Sequence, residues 1–107
     1  MNVVVDNSAG GDPQLAEEVA RGLRDRGLDV EVRKPDRAKM FDTSVNLVAT
    51  GIAIRVAVRP DRAQLDSIGQ VVRAALQHRP SVRRRSRSVP VHLGETARVV
   101  EWIDLYD

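Results

Sequence analysis

Cysteine is absent from the 107 residues, and aromatic side chains are almost absent, with one Trp, one Tyr and one Phe. Without cysteine there is no disulfide, no thiolate nucleophile and no Cys-ligated zinc, a composition suited to a reducing cytosol. Histidine is limited to His78, which has no Glu or His three or four residues away, and His92, which falls in a predicted strand, so neither suggests a helical metal site. No Gly-x-Ser-x-Gly nucleophile elbow occurs. Long apolar runs are lacking too: the longest, Val45 to Val58, is broken by Arg55 and is too short to cross a bilayer, and the first residues lack the basic-then-apolar layout of a signal peptide. These readings predict a soluble, cytoplasmic, non-enzymatic chain with no membrane contact, no metal and no cofactor.

What is present suits a single α/β domain over residues 1–107, a length that buries roughly 65% of the unfolded surface. Asn2 to Val5 is a short β-branched run. Leu15, Val19 and Leu23 then recur at helical spacing, with Ala16 and Ala20 widening the stripe, which predicts a helix over Gln14 to Arg26. Asp12 is placed to cap it, Pro13 fits its first position, and Gly27 fits the left-handed residue beyond its end. Leu28 to Arg33 alternates apolar and charged residues as a strand with one wet face, completing a β-α-β unit.

Residues 42 to 58 leave a choice. Ile52, Ile54, Val56 and Val58 alternate as a strand, whereas Asp42 to Ala49 equally suits a short capped helix; a strand over Ile52 to Val58 is preferred. A second amphipathic helix follows over Pro60 to His78, with Leu65, Ile68, Val72, Ala75 and Leu76 on one face and Asp61, Asp66, Arg73 and Gln77 on the other. Val89, Val91 and Leu93, a turn at Gly94 and Glu95, and a run from Arg98 to Leu105 read as an antiparallel hairpin. Pro90 assigns its strand to a sheet edge, where no ladder donor is missed. The expected fold is a two-layer α/β (α+β) sandwich in the order β-α-β-β-α-β-β, with a mixed sheet of about four to five strands and two helices.

Charge is segregated. The net +2 arises from blocks of −2 over 1–34, +2 over 35–78, +5 over 79–90 and −3 over 91–107. The +5 block is an Arg-rich connector at 79–88, in which Arg79, Arg83, Arg84, Arg85 and Arg87 occur with no carboxylate between them. Such a run attracts phosphate backbones. Aromatic stacking platforms, the usual companions in RNA readers, are missing nearby. An acidic protein surface is another target for it, and the bland reading is a solvated connector paired with Glu95, Glu101, Asp104 and Asp107. Trp102 and Tyr106, four apart, offer one aromatic to pack on the sheet and one to serve as an interface anchor.

The loop after the first strand lies where open α/β sheets bind ligands, and Ser8, Gly10 and Gly11 would be its anion donors. Asp6, Asp12 and Pro13 oppose that use, and the competing reading is a tight strand-to-helix turn in which Asp6 is an Asx-turn residue.

"VVVDNSAGGDPQLAEEVARGLRDRGLDVEVR" resembles the first βαβ unit of flavodoxins, over under a third of the chain. That resemblance implies a phosphate or nucleotide site with Ser8 and Gly11 at family-like positions; Gly10, Asp12 and Pro13 replace the later loop hydroxyls. Taken whole, the order of elements, the Arg-rich stretch and "SVPVHLGETARVVEWIDL" are similar to the effector-associated constant component domains of actinobacterial conflict systems, and 15 Arg against 2 Lys resembles the coding of a high-GC genome. This second resemblance implies a non-enzymatic accessory or adaptor domain whose partner is another protein, an effector or a second copy. A nucleic-acid binder acting through Arg83, Arg84, Arg85 and Arg87 is the remaining alternative.

Overall fold

The computed structural model describes residues 2–8, 10–35, 51–79 and 88–105. Five strands and two helices run in the expected order: β1 (Asn2–Asp6), α1 (Pro13–Asp25), β2 (Asp29–Arg33), β3 (Ala53–Val56), α2 (Arg62–Leu76), β4 (Ser88–Leu93) and β5 (Val99–Asp104). The strands form one mixed sheet in the order β2-β1-β3-β4-β5. β1 is parallel to β2 and antiparallel to β3, β3 is parallel to β4, and β4 is antiparallel to β5.

Alternation decides the two faces of this sheet. Val3 and Val5 of β1 stand beside Val56 and Ile54 of β3, and Ile54 beside Val91 of β4. All five are buried in one cluster with Leu15, Val19 and Leu23 of α1 and Ile68, Val72 and Leu76 of α2. Residues of the opposite parity, Asp6, Arg33, Arg55 and His92, therefore share the face turned away from α1 and α2.

The helix ends follow local chemistry. Asp12 accepts hydrogen bonds from the Gln14 and Leu15 amides, satisfying two donors that the first turn leaves unpaired. At the other end of α1, Leu28 N–H donates to Leu23 O and Gly27 N–H to Arg24 O, with Gly27 at φ +83°. This paired arrangement is the Schellman stop that an L side chain would resist. α2 begins two residues later than the sequence suggests, because Asp61 is its cap and not a member of its polar face. Asp61 accepts from the Gln64 amide while the Gln64 side chain accepts from the Asp61 amide.

The two helices approach closely at Gly22. A Cβ there would lie 2.6 Å from Val71 Cγ1.

Two further expectations are corrected. β4 is an interior strand, with β2 and β5 at the edges. Pro90 is accommodated because the ladder to β3 begins only at Val91, so its missing N–H costs no bond on that side. Val58 is not on a strand and is 67% exposed: β3 ends at Val56 and the chain bends away. The helix considered over residues 42 to 49 lies outside the described residues. Among the described residues no helix is long and apolar enough to cross a membrane.

Candidate functional site

At the carboxyl end of β1, the loop uses most of its donors internally. Ser8 N–H donates to Asp6 Oδ1 at 2.9 Å, the Asx turn expected of Asp6. Gly10 N–H donates to Asn7 O, and Asn7 Nδ2 to Gly11 O at 3.2 Å. Gly51 abuts Gly11 so closely that a Cβ at Gly51 would lie 2.3 Å from Gly11 Cα. With the Gln14 and Leu15 amides already on Asp12, an anion would face two carboxylates and find Ser8, Gly10 and both cap-bonded amides engaged.

Asp12 is held from a second direction. Arg79 Nε lies 2.9 Å from Asp12 Oδ2 and its Nη1 lies 3.0 Å from Glu18 Oε2. The guanidinium, followed by the cap amides, keeps the Asp12 carboxyl below its usual range. The first arginine of the basic run is thus a tie between the end of α2 and the start of α1. Its partners among the described residues are Asp12 and Glu18, and Glu95 of the acidic C-terminal block is bound by Arg33. Arg83, Arg84, Arg85, Arg87 and Tyr106 lie outside the described residues.

A charge network crosses the sheet face turned away from α1 and α2. Asp6, only 6% exposed, receives Arg55 Nε at 2.7 Å from β3, and Arg33 Nη1 of β2 stands 3.6 Å away. Arg33 also grips Glu95 with two bonds of 2.7 Å, and Arg55 Nη1 donates to the Gly94 and Thr96 carbonyls at 3.0 and 2.9 Å. Burial works to raise the Asp6 pKa, and the bonds from Arg55 and Ser8 outweigh it, leaving the carboxyl below its usual range. These charges satisfy one another and tie the β4–β5 turn to the sheet. Sequence reasoning did not join Asp6, Arg33, Arg55 and Glu95; the signal was Arg55 itself, a charge inside an apolar strand run that requires a carboxylate partner.

Of the protein-contact candidates from the sequence, Trp102 is the one within the described residues. It lies on β5, the outer strand, and is 57% exposed. Beside it an open groove of about 370 Å³ runs between α2 and β5, with Leu65, Gly69 and Ile103 among its apolar lining and Arg62, Arg73 and Glu101 among its charged lining.

No protein-family model, curated protein or solved structure matches this chain.

The backbone of β5 is partly shielded. Arg59 Nη2 donates to Val100 O at 3.4 Å and Arg73 Nη1 to Asp104 O at 3.0 Å. Occupying carbonyls at both ends with guanidinium groups discourages the addition of a full-length strand. What this strand still offers a partner is the side chain of Trp102, a residue that also lines the groove. Among the described residues no cluster of three or more His, Asp or Glu is arranged to hold a metal ion.

Proposed function

We propose that this chain is a non-enzymatic accessory or adaptor domain that binds another protein, with Trp102 as the anchor. The observation that carries the reading is the 57% exposure of Trp102 on an outer strand, next to an open groove. Trp is among the residue types most enriched at energetic centres of interfaces, and here it is accessible to a partner. Capped carbonyls at the two ends of β5 support side-chain docking at Trp102 over strand addition. The sequence resemblance to effector-associated constant component domains points to an effector protein as the partner. The engaged amides of the first loop weigh against the phosphate-binding alternative that used Ser8, Gly10 and Gly11.

A photo-crosslinking residue placed at position 102 of the full chain in its native host tests the reading, with position 31 on the opposite edge as control. One reproducible protein adduct at 102 and none at 31 is expected. Adducts of equal abundance at both positions, or none at 102, would refute it. A thermal-shift series with nucleotides and flavins should show no stabilisation; a ligand selective for the folded state that raised the melting point would favour the phosphate site instead.

A further inference from the structure

The turn joining β4 to β5, residues 94–98, is held down at three heights. Gly94 N–H donates to Val56 O at 2.8 Å, Arg55 spans the Gly94 and Thr96 carbonyls, and Arg33 forks Glu95. Within the turn, Thr96 Oγ1 donates to Leu93 O and accepts from Arg98 N–H. Such a segment has few buried apolar contacts of its own, so its closure depends on polar bonds.

His92 stands against this turn. It is next to Arg55 in the β3–β4 register, and its Nδ1 is buried with no hydrogen-bond partner. The charged groups that act on it are Arg55 of adjacent β3 and, beyond it, Asp6 of β1; on β5 its register partner is the uncharged Val99, and Glu95 lies in the turn itself.

We propose that residues 94–98 form a pH-responsive strap, closed while His92 is neutral and released when His92 acquires a proton beside Arg55. A second cation there must share Asp6 with Arg55, and a charged Nδ1–H has no acceptor in the closed arrangement. Burial, and then the Arg55 charge, hold the His92 pKa below its usual 6.5, although Asp6 and the Thr96 and Ala97 backbone act the other way. The open strap therefore binds the proton more readily than the closed one. Closing stability is fully present above pH 6.5 and declines as pH falls below it. Asp6 and Glu95 are held below 3.8 and 4.5, so their contributions fail only in stronger acid and do not mask the first transition. This inference does not depend on the docking reading.

Amide hydrogen exchange at Gly94, Thr96 and Arg98, corrected for intrinsic rate, tests it in the full chain between about pH 7.5 and 5.5. A several-fold loss of protection confined to this turn is expected, with the loss abolished in His92→Gln. A second measurement, the NMR titration of the His92 imidazole in the unmodified chain, does not require the variant to fold and should give a value below 6.5. Unchanged protection down to pH 5.5, an unaltered profile in folded His92→Gln, or an imidazole titrating at or above 6.5 each overturns the proposal.

Discussion

Arg79, at the end of the second helix, and Asp12, at the start of the first, are joined by a 2.9 Å ion pair across 67 positions of sequence. Asp12 is also the cap of α1, so one carboxylate serves a local and a long-range role. Asp12→Ala should lower the unfolding free energy by roughly 1–2 kcal/mol through the lost cap, read from urea denaturation. Arg79→Gln keeps the cap and should cost less. Because the Asp12 pKa is depressed from 3.8, its contribution is present above that pH and lost as pH falls through the lower folded value.

Gly22→Ala should destabilise the chain even though alanine is the better helix former by about 1 kcal/mol. The new methyl would meet Val71 Cγ1 at 2.6 Å, and a β-branched valine on a helix has little rotamer freedom to yield. Val71→Ala makes room. In that background, Gly22→Ala should become neutral or stabilising, a reversal of sign that thermal denaturation of the four proteins in the cycle would detect.

Arg55→Leu should cost about 3 kcal/mol, because Asp6 would remain buried with the bonds from Ser8 and the more distant Arg33. Adding Asp6→Asn should recover part of the loss by removing the uncompensated charge. Arg33→Leu should cost less than Arg55→Leu, since its shorter bonds go to Glu95, which is exposed. The Asp6 contribution persists above pH 3.8 and is lost as pH falls through its lowered folded value, so the difference between unmodified chain and Arg55→Leu should narrow in acid.

Local signals in the sequence carried the helices well. Asp12, Pro13 and Gly27 each specify a backbone geometry within a few residues of themselves, and each sits where that chemistry requires. Pro90 misled for a physical reason: a missing amide excludes a residue from a ladder at one position, not a whole strand from the sheet interior, and β4 joins β3 only one residue later. Val58 continued the apolar alternation of β3 after the pairing that gives alternation its meaning had ended. The charge network was hidden because its members are 49 and 62 residues apart, Asp6 from Arg55 and Arg33 from Glu95, and only the strand order brings them to one face. Trp102 was legible as an anchor by residue type, but its exposure depended on the strand order that leaves β5 at an edge.

Trp102 is the only tryptophan, so the indole emission of this chain, after subtraction of the partner's own emission, reports on the proposed contact. Removing it should leave folding stability within about 0.5 kcal/mol, because the side chain is mostly in water. The decisive measurement is a fluorescence titration of the full chain with the purified protein captured at position 102, repeated by calorimetry with Trp102→Ala. The account predicts a blue-shifted emission that saturates with partner, and an affinity reduced at least about thirtyfold, or 2 kcal/mol, in the variant. An emission maximum that stays fixed at saturation, with Trp102→Ala binding as tightly as the original, would contradict it.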